Sequence, residues 1–307
     1  MNFAVGAIVK NEDPYLLEWI AFHKVVGFTH FLIADNGSSD MTRDFLHVLA
    51  KSGLVTVIDY PDSPGVRPQM GAYTTLARNA PPGIDAVAFI DIDEFLLPVG
   101  ENRSVVPILT ERFSDPAVNA VAVNWCCFGS SGQKFLEDGL VMERFKKRSS
   151  ASFSVNKHYK VVVRPATVSG WDSPHHATLT SGKCVYANGD DLTFRPGFAN
   201  SLSEHVQWSD LRINHYVVKS LEEFLIRKSP KGSASKEGRI KHKKYFELHD
   251  RNDEECLLIQ AFIDDVKEEV KNLEWLLAAS EVDEEPVSGT STWRQKVASL
   301  KATLRGS

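Results

Sequence analysis

Short apolar runs alternating with amphipathic stretches constrain this chain more than any other feature. FAVGAIVK, HFLIADN, LVTVIDY and AVAFIDIDEFLL are each strand-like, and the segments between them read as helices. That order predicts a parallel sheet, whose strands are nearly continuous in apolar residues because helices cover both faces. In the first connecting helix, Asp13 is the expected cap, Pro14 the first position, Leu16, Leu17, Ile20, Ala21 and Lys24 the buried stripe, and Gly27 the stop. A second helix starts near Ser39 or Asp40, buries Phe45, Leu46 and Leu49, and stops at Gly53; a third runs from about Gln69 to Ala80. After residue 120 the pattern loosens into AVAVNWCCF, a GSSG loop, a charged segment through Arg148 and the strand-like KVVVRPATV, which predicts a mixed sheet with functional loops. From about Asp250 the chain reads as helical and acidic. At 307 residues and 43% hydrophobic positions, one large α/β domain with an appendage can bury its own core.

The net charge of -5 argues against a nucleic-acid binder, which carries a basic surplus. The opening MNFAVGAIVKNEDP has too short an apolar run for a signal-peptide core, and no stretch approaches the roughly 20 apolar residues of a membrane helix. Cys126, Cys127, Cys184 and Cys256 lack metal-ligand spacing and read as reduced thiols. A cytoplasmic protein is therefore expected. The basic last helix, TWRQKVASLKATLR, adds peripheral contact with the inner face of a membrane as the alternative to simple packing.

An open parallel sheet binds its ligands beyond the carboxyl ends of the strands, so the polar residues there are the candidates. Asp91 and Asp93 follow the fourth apolar run and point to one side if the extended geometry persists. Such a pair suits Mn²⁺ or Mg²⁺, which take oxygen ligands and neutralise charge building on a leaving diphosphate. The bland alternative is a polar strand end. At the end of the second run, Asp35 is placed to accept hydrogen bonds from a base or ribose, although Asp35 to Asp40 equally compose an ordinary turn and helix cap. Lys10, Asn11 and Glu12 occupy the equivalent end of the first run. Trp125 with Phe128 and the loop Gly129 to Gly132 suits a sugar platform, an aromatic face beside permissive glycines, or else a core aromatic followed by a turn.

These segments, in this order, resemble the family-2-like glycosyltransferases with the GT-A fold, in the branch related to the eukaryotic family-92 transferases. The resemblance rests on IVKNEDPYLLEWIAFHKVVGFTHFLIADNGSSD, Gln69, FIDIDEFLLP, WCCFGSSG, KHYKVVVRP and INHYVVKSLEEFLIRKSPKG, over roughly residues 1 to 232. It implies a GT-A-like, Rossmann-like, mostly parallel sheet flanked by helices. Residues 1–248 would form the transferase domain, divided into a nucleotide-sugar half (1–100) and an acceptor half (101–248), and 249–307 a helical appendage. It implies transfer, with inversion, from a nucleoside-diphosphate sugar, a UDP-sugar by default, to a hydroxyl of a glycan or glycolipid, as in polysaccharide biosynthesis.

By the same resemblance Lys10, Asn11, Glu12, Asp35, Gln69, Asp91 and Asp93 face the donor. Asp91, Asp93 and His215 hold the metal, with His175 and His176 as competitors for the last place. Inversion needs a carboxylate to take the acceptor's proton; of Glu94, Glu137, Asp138 and Asp172, the expectation rests on Asp138 in LEDG and Asp172 beside Trp171. Trp125, Gly132 and His175 are the acceptor-side candidates. Lys219, Arg227, Lys228 and Lys231 can approach a diphosphate or can form a solvated face. A nucleotidyltransferase is disfavoured because VGAIVKNEDP lacks a glycine-rich, lysine-terminated loop. The reading from another class is a non-catalytic nucleotide-sugar or carbohydrate-binding protein on the same fold.

Overall fold

The structure, a computed structural model, describes residues 1–63, 68–195, 201–230 and 241–280. The expectations placed on Lys231, on most of KSPKGSASKEG, on EVDEEPVSGTST and on the basic last helix lie outside the described residues.

The alternating pattern of the first hundred residues is present as β1 (Phe3–Val9), α1 (Asp13–Val25), β2 (His30–Asp35), α2 (Thr42–Lys51), β3 (Val55–Asp59), α3 (Pro68–Arg78) and β4 (Ala86–Phe89). Strands β3, β2, β1 and β4 lie side by side and parallel, as their continuous apolar character requires. Asp13 is the first residue of α1 rather than its cap, with Glu12 in the cap position. AVAFIDIDEFLL is two strands, not one. After β4 the chain turns, Glu94 N–H donating to Asp91 O at 3.0 Å, and β5 (Glu94–Pro98) pairs antiparallel with a strand of the second half. A strand covered on both faces has no room for two carboxylates, so the turn carries Asp91 and Asp93 to the sheet's edge.

The second half contributes α4 (Val106–Phe113), β6 (Val118–Cys127), α5 (Val141–Arg144), β7 (Lys147–Arg148), β8 (Tyr159–Val163), β9 (Val168–Ser173), β10 (His176–Leu179), β11 (Lys183–Tyr186) and β12 (Leu211–His215). It continues with α6 (Leu221–Glu223), a π-helical turn over Phe224–Lys228, α7 (Lys243–His249), β13 (Glu254–Glu255) and α8 (Ile263–Ser280). The main sheet runs β3-β2-β1-β4-β8-β6-β12-β5, with β11 on β6. β8 enters antiparallel between β4 and β6, whereas β11 and β12 pair parallel with β6. The result is the expected α/β architecture: a mostly parallel central sheet flanked by helices.

One face of the sheet packs Trp19, Ile20 and Phe22 of α1 against Phe31, Phe95 and Phe262, and Val266, Leu273 and Leu277 of α8 close the same core. On the other face, Tyr73 and Leu76 of α3 meet Phe89, Val161 and Val163, with Trp171 lying 5.0 Å from the rings of both Tyr73 and Phe89. No helix among the described residues is long and apolar enough to cross a membrane.

Candidate active site

The turn after β4 is held from three directions. From α1, Trp19 Nε1 donates to the carbonyls of Asp91 (3.1 Å) and Glu94 (2.9 Å). From below, Glu94, 0% exposed, accepts the Asp91 N–H at 2.9 Å. The Asp91 carboxylate is gripped from the side: Oδ1 accepts from Gln69 Nε2 (2.8 Å) and Tyr73 OH (3.0 Å), and Oδ2 from Lys160 Nζ (3.0 Å). Lys160 is 1% exposed and also stands 3.7 Å from Glu94 Oε2. Burial pushes Glu94 well above the usual carboxyl range, Lys160 offsetting it only in part. Burial also opposes the charge of Lys160, but Asp91 and Glu94 outweigh it and hold the ammonium above its ordinary range.

Asp93 meets different partners, because the extended geometry does not persist. The Lys228 ammonium, brought in by the π-helical turn, contacts Asp93 Oδ2, and His215 Nε2 lies 3.7 Å from the same oxygen. Burial disfavours the Asp93 charge, yet Lys228 and His215 hold its carboxyl well below the usual range. His215 ends β12, and its ring lies 4.2 Å from Trp125. Trp125 in turn meets His158 at 4.9 Å and His175 at 5.1 Å, which makes an aromatic wall beside Asp93. Burial keeps these imidazoles neutral, His158 down to about 4, His175 well below its ordinary value, and His215 lowered although Asp93 pulls the other way. His215 Nδ1 and Trp125 Nε1 are buried without a hydrogen-bond partner.

A neutral imidazole and a fully ionised carboxylate facing each other suit Mn²⁺, and Mg²⁺ less naturally. Among the described residues no three His, Cys, Asp or Glu side chains gather to hold an ion alone. An ion at Asp93 and His215 would therefore complete its shell with diphosphate oxygens and water, as Mg²⁺ and Mn²⁺ commonly do. The donor set fits on those terms.

The remaining candidates divide. Lys10 is exposed at the end of β1, paired with Asp62 at 2.6 Å. Asn11 has a positive φ of 54°, donates its N–H to Ser38 Oγ (3.0 Å) and accepts the Ser39 N–H (2.8 Å), while the Glu12 N–H donates to Thr42 Oγ1 (2.7 Å). These bonds zip the ends of β1 and β2 together. Asp35 is buried at the end of β2, its oxygens accepting from the Ser38 N–H and from Arg43 Nε, each at 3.0 Å. Gly132, with φ 83°, lies in a loop whose Ser130 and Ser131 N–H groups donate to Asp250 (2.6 Å) and Asn252 (2.7 Å). Phe128 is core, packed 4.8 Å from Tyr216. Asp138 is exposed on the following loop, and Asp172 is exposed on β9, accepting from Thr178 OH at 2.9 Å. His176 is set by Tyr159 OH at 3.0 Å. Lys219, with φ 56°, holds its ammonium 4.2 Å from the Tyr15 ring, and Arg227 stands 3.6 Å from Asp13 Oδ1.

The structure thus gathers Asp91, Asp93, Gln69, His215, Trp125 and His175 with Lys228, and leaves Asp138 and Asp172 on the exposed surface. Sequence reasoning missed Lys160 and Tyr73. The available signal was a lone lysine inside YKVVV, a charged residue in an otherwise core-like strand.

The family model described as glycosyltransferase family 92 matches residues 5–255. Among curated proteins, a glycosyltransferase family 92 protein of Oryza sativa subsp. japonica is 27% identical over 183 residues, 59% of this chain and 30% of that protein. One of Ricinus communis is 27% identical over 194 residues, 62% of this chain and 33% of that protein. The chain therefore spans about a third of the length of these relatives. Among solved structures, S. aureus TarS 1-349 in complex with UDP-GlcNAc aligns with a TM-score of 0.35 at 14% identity, covering 54% of this chain and 46% of that one. The Mycobacterium tuberculosis glucosyl-3-phosphoglycerate synthase in complex with Mn²⁺, UDP and glucosyl-3-phosphoglycerate aligns at 0.28 and 19%, covering 40% and 44%.

Proposed function

The chain belongs to glycosyltransferase family 92, and from that premise we propose that it moves a sugar from a nucleoside-diphosphate sugar, a UDP-sugar, to a hydroxyl of a glycan or glycolipid, with inversion. The observation that carries this reading is the Asp93 carboxylate clasped between the Lys228 ammonium and a neutral His215 at the carboxyl edge of the sheet. Asp93 and His215 would hold the divalent ion, and Asp91 shapes the turn that presents Asp93. When bound, the ion neutralises charge on the departing diphosphate. Lys228 and Lys219 supply further positive charge to the same oxygens, acting where charge develops during bond cleavage.

Lys10, Asn11, Glu12 and Asp35, at the ends of β1 and β2, face the nucleoside in this reading, and Gln69 fixes Asp91 from α3. The wall of Trp125 and His175 receives the sugars. Asp172, on the strand leading towards His175, is the proposed carboxylate for the acceptor's proton, with Asp138 as the alternative.

Thermal unfolding tests the donor site. UDP with Mn²⁺ at about a hundredfold excess over its Kd should stabilise the wild type by about 2.7 kcal/mol, and UDP with EDTA by much less. His215→Ala should abolish the metal-dependent part. Equal stabilisation with Mn²⁺ and with EDTA would count against the metal, and no stabilisation at all would favour a protein that has lost the donor site.

A further inference from the structure

Lys160 stands beside both carboxyls flanking the turn. Its ammonium stands 3.0 Å from Asp91 Oδ2 and 3.7 Å from Glu94 Oε2, and it is 3.4 Å from Tyr73 OH, which itself donates to Asp91 Oδ1. Strand register explains the placement: Val161 of β8 pairs with Phe89, the last residue of β4, so Lys160 lies one residue past that pairing, level with the start of the turn. A lysine 1% exposed in a run of valines carries a large desolvation cost that no packing role requires. Met would fill the same space without it.

We propose that Lys160 is the positioning residue of the donor site, a buried counter-cation that ties Asp91 to Glu94 and so fixes the turn that aims Asp93. The inference rests on the transferase reading above. Asp91 is partly open to solvent, with 35% of its side chain exposed, so without the ammonium its Oδ2 is left to water. Gln69 and Tyr73 then hold one oxygen only. Glu94 would lose its cation while still bonded to the Asp91 N–H, and the backbone between them would loosen.

The test is Lys160→Met, whose apolar side chain has similar reach. In the ligand-free protein, amide exchange at Asp91 and Glu94 should quicken about tenfold while amides of β1 and β2 keep their rates, the mark of local rather than global opening. In donor hydrolysis with Mn²⁺, kcat should fall about a hundredfold with the donor KM changed less than about threefold, because an interaction that shapes the transition state has been lost rather than uniform binding. If Lys160→Met is recovered unfolded, Lys160→Gln, neutral but still a donor, takes its place in both measurements. Unchanged exchange at the turn, or kcat equal to wild type, would overturn the proposal, since a residue that only fills space tolerates Met. A wild type that turns over no donor, with the exchange difference intact, would count against the transferase reading while supporting the hold of Lys160 on the turn.

Discussion

Asp93→Asn lowers kcat for metal-dependent donor hydrolysis by about a thousandfold in this account, the cost of removing one fixed charge from a site that stabilises a leaving group. The loss should not be recovered by raising the donor or Mn²⁺ concentration. The same substitution leaves the half-buried Lys228 ammonium without its carboxylate, so a fall in stability is expected alongside the fall in rate. Asp93→Asn combined with Lys228→Met separates the two effects. The double variant should regain thermal stability and remain inactive, and recovery of activity with stability would show that Asp93 serves only to neutralise Lys228.

The second large effect concerns folding. Arg144 grips Glu223 through both oxygens at 3.2 and 2.6 Å, and Glu223 also accepts from Tyr15 OH at 2.9 Å and Ser220 Oγ at 2.6 Å. With 6% and 3% of their side chains exposed, both partners are out of water. The cluster joins α5 to α6 and, through Tyr15, to α1, so it fixes the start of the helix that delivers Lys228. Arg144→Met strands a buried carboxylate and should cost about 3–5 kcal/mol by urea unfolding at pH 7. Burial alone would raise the Glu223 pKa, but Arg144 and Ser220 hold it below the usual 4.5. A carboxyl depressed in the folded state stabilises above its unfolded pKa and ceases to do so as pH falls through the folded one. The difference between wild type and Arg144→Met should therefore be largest near pH 7 and shrink as pH falls, first as the stranded Glu223 protonates in the variant and then as the wild-type carboxyl does. A constant difference down to pH 3 would mean that the lost contribution is packing.

How far the sequence discloses the molecule depends on whether a signal is local. Each element from β1 to α3 carries its own apolar period, start and stop, so their order and the parallel pairing were legible. The turn inside AVAFIDIDEFLL was not, because what closes it comes from elsewhere in the chain: Trp19 on α1, Gln69 and Tyr73 on α3, Lys160 on β8. Asp91 and Asp93 stood out as carboxylates at the end of a buried strand. That one would be bound to protein and the other turned to Lys228 and His215 depends on contacts 69 and 135 residues away. The GSSG loop is a further case. With Trp125 and Phe128 it reads equally as a sugar platform or as a turn after a core aromatic, and its sequence did not disclose that Gly129 leaves no room for a Cβ, which would stand 2.5 Å from Arg251 O, or that the Ser130 and Ser131 N–H groups bind Asp250 and Asn252. Asp35 was ambiguous in sequence for a chemical reason: a carboxylate that caps a turn and one that awaits a ribose are the same residue in the same place.

The most direct measurement is release of nucleotide from a panel of UDP-, GDP- and CMP-sugars by the wild-type protein, in Mn²⁺, Mg²⁺ and EDTA. Release of UDP from a UDP-sugar, dependent on the metal and abolished by EDTA, is the expected result. No release from any donor in either metal, by protein shown to be folded, would contradict it.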